Sequence, residues 1–430
     1  MSATAGAAST EKAARSFRAY WALAALVAGL VLGLFADRWS AAARDGALSV
    51  ASFIGTLWLN GLKMTVIPLV VTLLVTGIAK SAEAAKGGKI AARSVMWIVI
   101  VCTVSAIFGA VVMLLLTKAF PLPPSTAEAL RAALAGIEQK PTGPLPGVSD
   151  FFKGVIPSNV IAAASNGDVL PLVVFALLFA LALTRIGETA RRTVVGLFEA
   201  IADALLVIIG WVLLIAPLGV FALAFAVGSE AGGAAFAGLG HYIALVSAVG
   251  ILWMILGGYP LGILGGGRRP VNFAKAMIGP QAVAISTRSS LASLPAMLTA
   301  AQSLGIRTRV ADVSLPLAVA LFRSTGPAMN VAVAFYVAHW LGLHPTLAQM
   351  LAGVAVGAVM SYGAVSLPGE ITFISSIAPI AMALGVPIAP LALLVAVEMV
   401  PDIFRTLGNV TFDTALAAVV EKGATDEPES

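Results

Sequence analysis

Long apolar runs at 20–35, 53–78, 95–116, 170–183, 206–227, 242–263 and 313–337 dominate the chain. Several hold on the order of 18 residues or more with few charges, the length an α-helix needs to cross the hydrocarbon of a bilayer. They predict an all-α polytopic membrane protein with about eight membrane-crossing elements. Between runs, 121–153 carries Pro121, Pro123, Pro124, Pro141, Pro144 and Pro146. Clustered prolines remove backbone donors, so this stretch predicts an extracytoplasmic loop without a packed helix. Ile156–Pro157–Ser158–Asn159 followed by Asn166–Gly167–Asp168 predicts an element broken into short pieces.

Past Gly267 the pattern changes. Apolar stretches alternate with Ser286–Thr287–Arg288–Ser289–Ser290, followed by Pro295, and with 361–370, which ends Leu367–Pro368–Gly369–Glu370. Open backbone groups in hydrocarbon are costly, so such breakers are tolerated only where protein encloses them. Each predicts the tip of a re-entrant helical hairpin. Arg268, Arg269 and Lys275 before the first tip, and Arg307 and Arg309 after it, put both its ends on the cytoplasmic side, whereas the flanks of the second lack Lys and Arg. The two hairpins are thus expected to face each other across the membrane. Each precedes an interrupted, charged helix, around Phe322–Arg323–Ser324–Thr325–Gly326 and around Glu398–Met399–Val400–Pro401–Asp402. A hairpin plus broken helix, repeated in inverted orientation, points to a secondary transporter with a midplane site.

Composition sharpens this reading. Hydrophobic residues make up 59% and charged residues 11%, with a mean hydropathy of +0.98, which leaves too little charged surface for a large soluble helical protein. The net charge of +5 does not indicate nucleic acid, because the basic residues sit at segment ends. Their bias places both termini in the cytoplasm by the positive-inside rule. The run after Lys12, Arg15 and Arg18 continues without a cleavage pattern and is read as a first span. A single cysteine, Cys102, excludes an internal disulfide. His241, His339 and His344 lack metal-ligand spacing, and no catalytic or phosphate-binding motif is present, so an enzyme is not expected. The acidic stretch 421–430 is expected to be a disordered cytoplasmic tail.

Ionisable groups inside apolar helices are expensive and mark functional positions. Arg323, Glu398, Asp402, Arg405 and Asp413 are such groups. Asp402, Arg405 and Asn409 fall three and four residues apart, which places them on one helix face. A guanidinium grips a carboxylate bidentately, so Arg405 predicts an acidic substrate, with the Thr406 hydroxyl beside it. An internal Asp402–Arg405 pair without a ligand is the alternative. Ser289 and Ser290 offer hydroxyls and free N–H groups at a half-helix end, where a carboxylate is well received.

The chain resembles the dicarboxylate/amino acid:cation symporters, the glutamate-transporter family, over roughly residues 20–418. The resemblance rests on Lys63–Met64–Thr65–Val66–Ile67–Pro68–Leu69, Ile156–Pro157–Ser158–Asn159 with Asn166–Gly167, Thr287–Arg288–Ser289–Ser290 with Leu294–Pro295, Gly363 with Leu367–Pro368–Gly369, and the run from Asp402 to Asp413. It implies eight transmembrane helices and two re-entrant hairpins in inverted repeats, an architecture already known for this family. It also implies a homotrimer in a bacterial inner membrane, working by an elevator movement. The scaffold would comprise 1–92 and 154–228, and the transport domain 93–120 and 229–420, with 121–153 as the loop. By the same resemblance Asp402 takes the substrate ammonium, Arg405 its side-chain carboxylate and Asn409 its main carboxylate. The tips, with Arg288, Ser289 and Ser290 in one and Gly363, Pro368 and Gly369 in the other, would enclose it.

The seventh span departs from the family. Sodium-using members read Asn-Met-Asp-Gly-Thr where this chain has Phe322–Arg323–Ser324–Thr325–Gly326. Hard oxygen donors are lost and a guanidinium appears, a fixed positive charge where a mobile cation would sit. Reduced or replaced sodium coupling is therefore expected, with Asp413, Glu398 or Asp402 as partners of Arg323 and with Glu370 and Glu398 as candidate proton carriers. Asp413 still stands at a family sodium-ligand position, so sodium, proton and uncoupled transport all remain open from the residues. No cofactor or nucleic acid is expected, only the coupling ion, membrane lipid and solute. A neutral amino acid as substrate, or a ligand sensor or channel that completes no transport cycle, remains as an alternative.

Overall fold

The computed structural model describes residues 21–85, 88–135, 155–362 and 369–424, with side chains omitted at 130–135, 362 and 369–372. The described residues are largely helical, and seven helical stretches, counting Thr308–Leu341 as one, are long and apolar enough to cross a membrane. In chain order the elements are α1 (Trp21–Arg38), α2 (Ala41–Ala85), α3 (Lys89–Ala119), α4 (Pro124–Ala135), α5 (Val160–Asn166), α6 (Val169–Leu183), α7 (Glu188–Leu214) and α8 (Ala216–Ala231). They continue with α9 (Ala234–Gly265), α10 (Pro270–Thr287), α11 (Ser290–Ser303), α12 (Thr308–Leu321), α13 (Thr325–Leu341), α14 (Leu347–Tyr362), α15 (Gly369–Ala383), α16 (Ala389–Leu394) and α17 (Met399–Ala424). This is an all-α polytopic membrane protein.

Local chemistry sets the boundaries. The α5 helix starts at Asn159, whose side chain accepts from the N–H groups of Ile161 and Ala162, and stops at Gly167 in the left-handed region. Breakage of this fourth span is therefore as the sequence reads. The run at 206–227 is interrupted at Ile215, because Pro217 fits the first turn of a new helix better than the interior of an old one. The 242–263 run is one helix with two π turns, Met254–Gly258 and Leu261–Gly265. At the second of these, Gly262 meets the Phe273 ring so closely that a Cβ would lie 2.4 Å from it.

Two expectations need correction. Within 121–153, Pro124 opens a helix, α4, where its missing N–H costs nothing, and Thr126 and Ala127 are buried. The α4 helix packs on α8 and α9. The remainder, 136–154, lies outside the described residues. At the C-terminus α17 runs to Ala424, so the tail does not begin at 421. Buried Glu421 accepts from the Arg307 backbone N–H at 3.1 Å and from its Nε at 2.8 Å, which holds the last turn in place. The rest, 425–430, also lies outside the described residues.

Two sets of helices surround one large apolar core. The α2 helix packs on α6, α7 and α8, while α17 is clasped by α9, α10, α11 and α12. The α10 and α11 helices pack as a pair closed at Arg288, and α14 and α15 pack as a second pair whose connection falls outside the described residues. Apolar side chains such as Leu197, Val207, Trp211 and Leu214 on α7 remain exposed, as expected where lipid rather than water is the solvent.

Candidate functional site

Both breaks foreseen in the charged helices are present. The α12 helix ends at Leu321, Phe322 turns extended, and α13 restarts at Thr325. Pro327 lies in the restarted first turn, where no N–H is required. Likewise α16 ends at Leu394, a turn carries Glu398, and α17 restarts at Met399. The two breaks meet. A Cβ on Gly408 would lie 2.1 Å from Thr325 Cγ2, so only glycine allows α17 this close. Asn409 Oδ1 then accepts from the Thr325 N–H at 3.1 Å and from its hydroxyl, which also lies 2.6 Å from the Arg405 carbonyl. Gly408→Val is expected to lower stability by about 1–3 kcal/mol through overpacking. Thermal unfolding in detergent checks this, with the expected drop in Tm.

Arg405 is the hub of the site. Its Nη2 donates to Glu398 Oε1, its Nη1 donates to Asn330 Oδ1 at 2.6 Å, and its Nε lies 3.7 Å from Asp402 Oδ1. Glu398, only 2% exposed, accepts through its other oxygen from the Tyr242 hydroxyl at 3.1 Å. Breaking such a buried pair leaves a charge stranded, which costs far more than the pair itself contributes. Thr406 donates to the Asp402 carbonyl at 2.9 Å, so its hydroxyl is bonded back to its own helix.

At the α10–α11 tip, Arg288 has φ 49, the only positive φ among the described non-glycine residues. This strained left-handed turn lets Ser289 begin α11, its hydroxyl accepting from the Ala292 N–H at 3.2 Å. Arg288, Ser289 and Ser290 are half-buried, and both helices of the pair pack on α17. Arg288 lies within electrostatic reach of Asp402. Gly363 and Pro368 of the other tip fall outside the described residues, Gly369 opens α15, and the side chain of Glu370 is not described.

The α12–α13 break is the second polar centre. Arg323 is half-buried and within electrostatic reach of Asp402, Asp413 and Arg405. Asp413 is 1% exposed, and neither of its carboxylate oxygens has a hydrogen-bond partner among the described residues, leaving Arg323 as the countercharge it faces. The Ser324 carbonyl accepts from the Ser105 hydroxyl and, at 3.0 Å, from the Trp253 indole N–H, while the Ser105 oxygen receives the Ala328 N–H at 3.0 Å. Both lone pairs of the buried carbonyl that the break frees are thereby taken up by protein donors. Of the expected partners of Arg323, Glu398 is instead paired with Arg405. Among the described residues no group of three or more His, Cys, Asp and Glu side chains is placed to hold a metal.

A family model described as "Sodium:dicarboxylate symporter family" matches residues 19–423. The chain belongs to the sodium:dicarboxylate symporter family. Among its relatives, the proton/sodium-glutamate symport protein of Bacillus subtilis (strain 168) is 29% identical over 85% of this chain and 84% of that protein. The C4-dicarboxylate transport protein of Laribacter hongkongensis (strain HLHK9) is 26% identical over 93% and 88%. The proton/glutamate-aspartate symporter of Escherichia coli (strain K12) is 26% identical over 94% and 92%. This symporter is therefore a transporter rather than an enzyme, of a family that works with Na+ or H+ as coupling ions instead of cofactors.

Several residues of the candidate site carried no signal in the sequence. Asn330, Tyr242, Ser105 and Trp253 each reach the breaks from another helix, and nothing in their local spacing marks them. Gln281 on α10, whose amide donates to the Thr411 hydroxyl at 3.0 Å and to Tyr259 at 3.2 Å, ties the first helix pair to α17 in the same way.

Proposed function

We propose that this symporter takes up aspartate, glutamate or a related dicarboxylate by an elevator movement of a transport domain, as a homotrimer in a bacterial inner membrane, with sodium coupling replaced by proton coupling. The observation that carries this reading is Arg405, a deeply placed guanidinium that already holds a carboxylate, that of Glu398. A substrate carboxylate competes for the same donors. When it wins, Glu398 loses its countercharge in a dry site, and a proton replaces it, so solute and proton enter together. Asp402 beside Arg405 is suited to a substrate ammonium, with Asn409 and the Arg288–Ser289–Ser290 tip near the main carboxylate.

Arg323 supports the loss of sodium. It brings a tethered positive charge to Asp413, and the Ser324 carbonyl, a natural ligand for a cation at a helix break, is already engaged. A second reading, sodium symport, rests on the two oxygens of Asp413, which have no hydrogen-bond partner among the described residues.

The test is transport in liposomes with glutamate inside or outside and imposed ion gradients. Wild-type protein is expected to accumulate glutamate under an inward proton gradient. Glu398→Gln, which cannot bind or release the coupled proton, is expected to retain glutamate counterflow while losing gradient-driven accumulation at least tenfold. Equal accumulation by the two proteins would refute the assignment of Glu398.

A further inference from the structure

Among the described residues, Arg405 and Tyr242 supply side-chain donors to Glu398. The substrate takes one of these away. Tyr242 stays. It lies one turn below Gly238 on α9, fully buried, and its ring meets Tyr336 of α13 edge-on with centroids 5.4 Å apart. Tyr336 is fixed in turn: its hydroxyl lies 3.2 Å from the Gly238 carbonyl and 2.9 Å from His241 Nδ1. The second ring nitrogen of His241 lies 2.8 Å from the Phe120 carbonyl at the end of α3. A carbonyl only accepts, so Nε2 carries a hydrogen and Nδ1 faces the Tyr336 hydroxyl. Three helices thus brace the phenol of Tyr242 against Glu398.

The charged groups around Glu398 are few. Arg405 and Asp402 face it from α17, Tyr242 from α9, and Tyr336 and Asn330 stand behind these from α13. The α8 helix, which packs on α16, contributes one titratable residue, Glu230, and it is exposed at the outer end.

We infer that Tyr242 is the positioning residue that sets proton exchange at Glu398: it keeps the carboxylate in place while Arg405 changes hands, and it makes proton release possible afterwards. This inference rests on the proton-coupled reading above. A phenol suits the task because it is both donor and acceptor. It donates to the charged carboxylate and accepts from the protonated one, so Glu398 keeps a partner in either state. Hydrogen bonds to the charged form favour that form, and they are the stronger kind. Removing the hydroxyl therefore makes Glu398 hold its proton more tightly. It also weakens the hold of Glu398 on Arg405, which frees Arg405 for substrate.

The experiment compares wild-type protein with Tyr242→Phe and Tyr336→Phe in liposomes, reading glutamate affinity against pH, counterflow and net proton-driven uptake. For Tyr242→Phe the pH above which affinity falls is expected to rise by about one unit, a tenfold tighter proton. Net uptake is expected to fall about tenfold more than counterflow does, because net uptake requires proton release and exchange does not. Tyr336→Phe keeps both rings and the Tyr242–Glu398 contact, and its pH profile is expected to match wild type. A pH-dependent wild type with an unshifted Tyr242→Phe would overturn this inference alone. So would the same shift in both variants, since that would report a loosened aromatic stack. A wild-type profile flat with pH would overturn this inference and the proton-coupled reading together.

Discussion

Arg405→Ala is expected to lower the affinity for aspartate and glutamate by roughly a hundredfold or more, since truncating one member of a buried, hydrogen-bonded charge pair costs about 2–5 kcal/mol. Arg405 supplies the guanidinium at the centre of the site, and its three nitrogens face Glu398, Asn330 and Asp402. No neighbouring group can reproduce that fork, and Lys, a point charge, cannot bridge Glu398 and Asn330 together. Removal also strands Glu398 beside Asp402, two buried acids without their shared cation, so the variant is expected to be less stable. Pairing Arg405→Ala with Glu398→Gln separates the two effects. The double variant is expected to recover thermal stability while remaining unable to bind acidic ligands. Thermal-shift titration with aspartate, glutamate, succinate and neutral amino acids reads both, and tight neutral-ligand binding with no acidic response in the wild type would remove the assigned role of Arg405.

The second large effect is at the other break. With Arg323 in place, wild-type glutamate uptake is expected to proceed unchanged when sodium is absent. Arg323→Ala removes the countercharge of Asp413, whose carboxylate has no hydrogen-bond partner to fall back on among the described residues. An isolated buried carboxylate is among the costliest groups to leave uncompensated. Uptake by the variant is expected to fall at least tenfold in sodium-free medium, and added sodium, a mobile replacement for the tethered charge, is expected to restore part of it. Uptake by wild-type protein that requires a sodium gradient would defeat the tethered-cation reading, and Asp413 would then stand as a sodium ligand.

The two centres are connected. Gly408 and Asn409 press α17 against Thr325, so the Arg405 helix and the Arg323 break share one packed contact. A shift at either is felt at the other, because close-packed interiors transmit displacement rather than absorb it.

Much of this was open to sequence reading, and for definable reasons. Hydropathy marks membrane helices because lipid imposes one composition on every lipid-facing segment. Breakers such as Phe322–Arg323–Ser324 stand out because charge and irregular backbone have no place in that composition. The same signal misled where proline has two meanings. Among clustered prolines Pro124 argues against a helix, whereas at the first helical position it starts one. The composition of the acidic tail predicts no structure from 421 onward, yet Glu421 finds Arg307 114 residues earlier in the chain, a partner that no local window contains.

By itself the sequence determined the class of protein, the positions of the breaks, and which charged residues lie inside apolar helices, since each depends on composition or on spacing within a single helix. Only the tertiary structure decided which charge meets which. Glu398 belongs to Arg405 rather than Arg323, Asn330 and Tyr242 complete that pair, and Ser105 with Trp253 closes the Ser324 carbonyl. Glu398 and Arg405 are only seven residues apart, but the other pairings join helices far apart in the chain, and a buried ion's partner is selected by the packing that excludes water around both, which no one-dimensional pattern encodes.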